Sequence, residues 1–314
     1  MSLENKPVKT GPTTSENPEL RRLITADGSS GFPAETGRYH LYVGLACPFS
    51  HRTLIGRKLK GLENVITVDI VDSVKPEIGW SFTPDKKGCT PDTVNGKANM
   101  ADVYKLIDPN YAGKVSVPLL WDKQTGTSVN NESAEILRMF NSEFNAFCQT
   151  DAQRALDLYP SELRSKIDEI DKWVAADINA GVYKCGFAPN QAAYDNAVNA
   201  LFNALDKAEG ILSKSRYLVG NQITEVDIKL FCTLIRFDVV YATLFKCDRK
   251  RILEYDNLWP YLRDLYQTPG FGETVDWDHI RSGYYASKLR NPSGIIATGP
   301  KLDFKAPHGR DKAF

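Results

Sequence analysis

No stretch of this 314-residue chain is apolar for long enough to span a bilayer, and no two of its cysteines form a Cys-x-x-Cys pair. The first absence excludes a membrane helix. The second excludes the dithiol motif of redox proteins that resolve their own disulfides. Histidine is scarce: His40, His51, His279 and His308 form no cluster with metal-ligand spacing, so no metal is expected. Neither sign of charge is in excess, with 39 Lys+Arg against 39 Asp+Glu. No long basic run interleaves with aromatics, which argues against nucleic acid as a partner. The opening Met1-Ser2-Leu3-Glu4-Asn5-Lys6-Pro7 holds no apolar stretch and no small-residue cleavage site, and Ser2 departs from the N-myristoylation pattern. The six cysteines (Cys47, Cys89, Cys148, Cys185, Cys232 and Cys247) are therefore expected to be reduced thiols in a cytoplasmic setting rather than three disulfides.

Apolar residues make up 42% of the chain, enough for two ordinary domains. Residues 1–37 are polar and rich in Pro, Gly, Ser and Thr, and read as an extended arm. Residues 38–148 change character. Tyr39 to Val43 is β-prone, Pro48 to Lys60 has helical spacing, and Val65 to Ile70 is a second β-branched run. Such a β-α-β unit implies parallel strands joined by a right-handed crossover. Residues 72–100 carry Pro76, Gly79, Pro84, Gly88, Pro91 and Gly96 and read as an insertion, with Trp80 and Phe82 inside it. A helix from Ala101 to Ile107, strands at Val115 to Trp121 and Thr127 to Val129, and a helix opening near Asn131 complete the order β-α-β-α-β-β-α of a thioredoxin-like domain. From 155 to 290 the spacing is helical. The repeats are Leu163, Ile167, Ile170, Val174 and Ile178, then Ala197, Leu201, Leu205, Ala208 and Leu212. Thr224-Glu225-Val226-Asp227 has the form of a capping box ahead of a third helix. Leu258 to Gln267 and Asp276 to Leu289 are shorter helical segments, and 291–314 is a Gly/Pro-rich tail. The fold class is α/β followed by all-α.

Cys47 is the residue with chemistry. It lies between a strand and a helix whose first position is Pro48, a proline-compatible site because its missing N–H is an orphan there anyway. The unpaired N–H groups and macrodipole of a helix start favour the thiolate. Two further pieces fit the same task. Val117-Pro118 reads as a cis-proline turn, which leaves the backbone groups before it available to an extended peptide. Glu132-Ser133 offers a carboxylate for an amine, and an N–H with a hydroxyl for a carboxylate. A short peptide with both charges and a sulfur would suit such a site.

In this set the chain resembles the glutathione transferases, and within them the Xi class, the glutathionyl-hydroquinone reductases. The matching stretches are Ala46-Cys47-Pro48-Phe49-Ser50-His51-Arg52, Gly79-Trp80-Ser81-Phe82, and Val115-Ser116-Val117-Pro118-Leu119-Leu120-Trp121-Asp122-Lys123. Val129-Asn130-Asn131-Glu132-Ser133, Gly181-Val182-Tyr183-Lys184 and Asp278-His279-Ile280-Arg281-Ser282-Gly283-Tyr284-Tyr285 extend it over residues 35 to 290. The resemblance implies glutathione as co-substrate and a homodimer formed through the helical domain. It implies reduction of S-glutathionyl-hydroquinones through a Cys47–glutathione mixed disulfide, which a second glutathione resolves. It implies Trp80, Val117, Glu132 and Ser133 as glutathione contacts. Tyr183, Tyr284 and Tyr285 would line the hydroquinone pocket, with Lys114 a possible basic partner. The chain departs from the class where Phe49-Ser50 replaces Trp-Ala and where Gly283 replaces a histidine. An omega-like thioltransferase or dehydroascorbate reductase shares Cys47, and a non-catalytic ligand-binding relative is the reading from another class.

Overall fold

The computed structural model describes residues 17–74, 79–288 and 291–314. Residues 1–16 of the expected arm, 75–78 of the insertion including Pro76, and Leu289 of the last expected helix lie outside the described residues. Strand β1 (Tyr39–Val43) leads into helix α1 (Pro48–Leu59) and then β2 (Thr67–Ile70). Helix α2 (Met100–Ile107), the hairpin β3 (Leu119–Asp122) and β4 (Thr127–Asn130), and α3 (Ser133–Ser142) follow. The sheet order is β2-β1-β3-β4, with β1 and β2 parallel and the other pairs antiparallel. Every residue of β1 is buried, because both faces of the sheet are covered. Side chains of a strand alternate in direction. Tyr39, Leu41 and Val43 accordingly join Ile136, Met139 and Phe140 of α3 on one face. Tyr42 joins Met100, Val103 and Tyr104 of α2 on the other.

The rest is helical: α4 (Asp151–Ala155), α5 (Arg164–Trp173), α6 (Gly181–Gly186), α7 (Gln191–Leu212), α8 (Glu225–Arg236), α9 (Ala242–Leu244), α10 (Leu258–Gln267) and α11 (Trp277–Tyr285). Two π-helical turns interrupt them, Val174–Asn179 after α5 and Phe237–Tyr241 after α8. Helix α8 is buried along its whole length, charged residues included. Its Glu225 pairs with Arg138 of α3 and Lys229, and Lys229 also reaches Asp171 of α5. The Arg138–Glu225 pair binds the two halves together.

The insertion is anchored rather than loose where it is described. Asp92 accepts the N–H groups of Val94, Asn95 and Lys97, and Tyr42 donates its hydroxyl to the same carboxylate. The loop docks on α11 through His279 Nε2 against the Lys87 carbonyl, 3.0 Å away. Gly88 has φ +79° there, and a Cβ on it would stand 2.6 Å from the His279 ring. The arm lies along the free edge of β4, where Arg21 bridges to Asn130 and its guanidinium pairs with Glu135. The tail folds back: Phe304 packs among Trp259, Tyr266 and Trp277, and Arg310 donates to the carbonyls of Leu212, Ser215 and Arg216 at the end of α7.

Candidate active site

Cys47 caps the N-terminus of α1 in extended conformation, with Pro48 as the first helical residue. Its own N–H returns to the Gly44 carbonyl at 2.9 Å, which closes a tight turn after β1. The thiol is half-buried and donates to the Val117 carbonyl at 3.5 Å. The Val117–Pro118 peptide bond is cis. Trp80 stands against the same turn: a Cβ on Gly44 would lie 3.3 Å from its ring and 3.4 Å from Val117. Cys47, Trp80 and Val117 therefore converge at the end of β1.

Glu132 caps α3, accepting the Ala134 N–H at 3.2 Å, and Ser133 Oγ lies 3.4 Å from the same carboxylate. Arg52 of α1 reaches Ser133 Oγ at 3.4 Å and Asn179 Oδ1 at 2.8 Å, so the π-helical turn before α6 closes this side. A cavity of about 180 Å³ opens here, lined by Phe49, Arg52, Glu132, Asp171, Asn179 and Lys229. Lys114 is exposed ahead of β3.

Above the thiol lies a cluster the sequence reading only half contained. Tyr183 Oη is 2.5 Å from Tyr284 Oη, and Tyr241 Oη is 2.8 Å from Tyr284 Oη. Burial first, and then Tyr284, hold the Tyr183 phenol well above its ordinary range, with Cys47 a lesser cause that places it within electrostatic reach of the thiol. Burial raises the Tyr241 phenol likewise, so Tyr183 and Tyr241 are neutral hydroxyls at neutral pH. Tyr285 is not part of this group, since its hydroxyl donates to the Val239 carbonyl at 3.1 Å. Tyr241 comes from the π-helical turn after α8, a feature that periodicity does not reveal.

The chain is 52% identical over 302 residues to glutathionyl-hydroquinone reductase YqjG of Escherichia coli K12, covering 94% of this chain and 91% of that protein. The glutathione-bound structure of YqjG superimposes with a TM-score of 0.91 at 51% identity, covering 94% of this chain and 97% of that one. This chain belongs to the glutathione transferase family. Its residues 46–143 match the glutathione S-transferase N-terminal domain and 191–264 the C-terminal domain. A Xi-class transferase from Natrialba magadii superimposes with a TM-score of 0.90 at 49% identity, over 93% of this chain and 91% of that one. An omega-like 2 transferase of Schizosaccharomyces pombe is 44% identical, over 91% of this chain and 95% of that protein.

Within this transferase fold the two sequence departures have local causes. Ser50 is fully buried and its Oγ accepts the Gly44 N–H at 3.3 Å, so it braces the Cys47 turn instead of supplying a second thiol. Gly283 lets α11 close on the same turn: a Cβ there would meet Ala46 Cβ at 2.5 Å and the Ser73 carbonyl at 2.9 Å. Phe49 carries Arg52 over its ring at 4.8 Å.

His51, one turn past the thiol, is structural. Arg236 Nη1 lies 3.0 Å from Nδ1, and Nε2 lies 2.8 Å from Thr274 Oγ1. An arginine can only donate, so Nδ1 accepts and Nε2–H donates to Thr274, which passes its own proton to the Phe271 carbonyl. Burial and then Arg236 hold the imidazole well below its ordinary 6.5. The sign follows: the folded state keeps His51 neutral while the unfolded chain protonates it. Stability from this group is complete above about pH 6.5 and is lost as pH falls, by up to about 1.4 kcal/mol per pH unit. Between pH 7.5 and 5.5 wild type should lose unfolding free energy faster than His51→Gln in urea titrations. Parallel slopes would refute this.

Proposed function

We propose that the protein reduces S-glutathionyl-hydroquinones with glutathione, releasing the free hydroquinone and oxidised glutathione. The observation that carries this reading is a half-exposed thiol at a helix start beneath three mutually bonded tyrosines. The substrate joins the glutathione sulfur to a ring carbon, so the carbon–sulfur bond must break. The Cys47 thiolate attacks that sulfur and forms a Cys47–glutathione disulfide. The bonding pair of the carbon–sulfur bond goes to the ring carbon, which gains a proton and becomes the free hydroquinone. In the keto tautomer of the ring the leaving group is an enolate. Its developing oxygen charge is what phenolic O–H donors stabilise. A second glutathione thiolate then attacks the mixed disulfide, freeing Cys47 and giving oxidised glutathione.

Glutathione fits the remaining contacts. In this reading Trp80 and the Val117 backbone hold its cysteinyl portion, Glu132 its γ-glutamyl amine and Ser133 its carboxylate. Tyr183 and Tyr284, with Tyr241 bonded to Tyr284, receive the hydroquinone hydroxyls. The reading also carries a homodimer and a reducing cytoplasmic setting, in keeping with six unpaired cysteines. An omega-like thioltransferase is the second reading, favoured by the Schizosaccharomyces pombe relative. The tyrosine cluster favours the first, because linked phenols that keep one O–H and several lone pairs free suit a ring with hydroxyl groups. Mass spectrometry after incubation with a glutathionyl-hydroquinone, without free glutathione, should find one glutathionyl group on Cys47. Release of hydroquinone with Cys47 unmodified would defeat the mechanism.

A further inference from the structure

Arg236, the last residue of α8, is fully buried. Its Nε donates to the Ala46 carbonyl at 3.1 Å and its Nη2 to the Leu45 carbonyl at 3.0 Å. Its Nη1 donates to the Cys232 carbonyl at 2.8 Å and lies on His51 Nδ1 at 3.0 Å. A guanidinium is always charged, and burying it without an opposite charge is unfavourable. Among the other buried cations Arg38 has Asp122 and Lys229 has Glu225, whereas Lys60, Arg52 and Arg310, like Arg236, are held by neutral groups. What sets Arg236 apart is where its acceptors lie. Among the described residues no carboxylate forms an ion pair with Arg236. All four of its partners are neutral, and two of them are the carbonyls immediately before Cys47.

We propose that Arg236 is the positioning residue and counter-charge of the Cys47 thiolate, reaching across from the helical half to make the nucleophile. The inference rests on Cys47 being the reacting thiol. The step is loss of the thiol proton to solvent, leaving a thiolate on the residue that follows the two carbonyls the guanidinium holds. The other groups around this turn do not compete for the role. Helix α1 offers neutral His51 and Arg52, which is held by Ser133 and Asn179. Helix α8 offers Cys232, whose thiol burial pushes up to about 12. Tyr183, Tyr241 and Tyr284 are mutually bonded phenols. On the remaining sides Asp72 is paired with Lys86 and Glu132 caps α3.

The test is the rate of Cys47 alkylation by iodoacetamide from pH 5 to 9, read by peptide mass spectrometry in wild type, Arg236→Gln and Arg236→Lys. At pH 6 the glutamine variant should react about tenfold more slowly, with its profile displaced to higher pH, while lysine keeps the rate within about threefold. An unshifted glutamine variant overturns the proposal. So does equal slowing in both variants, which would make the role one of shape alone. If Arg236→Gln does not fold, thermal unfolding of wild type against Cys47→Ser decides. A paired thiolate stabilises wild type progressively as pH rises from 5 toward 8, and a constant difference overturns the pairing. Slow wild-type alkylation at every pH below 8 would instead strike the Cys47 reading itself.

Discussion

Cys47→Ser should lower kcat/KM for a glutathionyl-hydroquinone by about three orders of magnitude or more, with glutathione still bound. The substitution changes one atom. A serine hydroxyl at this position is not ionised near neutral pH, so the helix start and Arg236 have no anion to stabilise. Among the described residues near the turn no other group replaces the nucleophile. Ser50 Oγ is committed to the Gly44 N–H, and Cys232 is fully buried with its thiol pushed up to about 12. The same arrangement suits glutathione as the resolving thiol, since Cys47 has no Cys-x-x-Cys partner and the neighbouring Cys232 is fully buried. Calorimetric titration of glutathione separates chemistry from binding. Wild-type turnover in the serine variant would remove Cys47 from the mechanism. Lost turnover together with lost glutathione binding would place Cys47 in recognition rather than chemistry.

Asp227→Ala should destabilise the protein by about 4 kcal/mol, lowering Tm by roughly 10 °C. Asp227 is fully buried at the head of α8. Its carboxylate accepts the Thr224 N–H and hydroxyl at 2.9 Å each, the Leu218 N–H at 3.0 Å and the Tyr261 hydroxyl at 2.9 Å. Burial raises its pKa, and those donors oppose the rise. Alanine leaves all four donors unsatisfied in the core, each a penalty of about 1–3 kcal/mol if water cannot enter. The effect extends to the site, because α8 carries Arg236 and leads into the turn bearing Tyr241. Denaturant titration with α8 otherwise intact is the measurement. A loss under about 1 kcal/mol would show that the box is only a local cap.

The capping box illustrates how far the sequence could be read. Thr224 and Asp227 announce a helix start, which is a local matter of backbone donors and a short acceptor. That the same carboxylate also takes a tyrosine hydroxyl from α10 is a long-range fact with no local signature. The Cys47 turn divides in the same way. Cys47 before Pro48, the Val117–Pro118 turn and Glu132–Ser133 were legible because each is a short motif whose geometry follows from neighbouring residues. Tyr241 and Arg236 were not, because each acts across the boundary between halves. A signal for Arg236 did exist: a charged residue ends the mostly apolar stretch Leu230 to Ile235, and a cation in that setting needs a buried partner. The resemblance implied Tyr285 along with Tyr284, but successive helical residues point about a quarter-turn apart, and the Tyr285 hydroxyl meets the Val239 carbonyl.

By itself the sequence determined the order of elements, the helix-start thiol, the lack of a Cys-x-x-Cys partner and the motifs that mark a glutathione transferase. Those are properties of residue spacing and local backbone chemistry, which a neighbour or two decides. The tertiary structure alone decided which side chain holds the carbonyls before Cys47, which three phenols meet, and why Gly283 rather than a larger residue faces Ala46. These depend on how two halves with separate cores pack, and close packing links residues hundreds of positions apart without leaving a period in the chain.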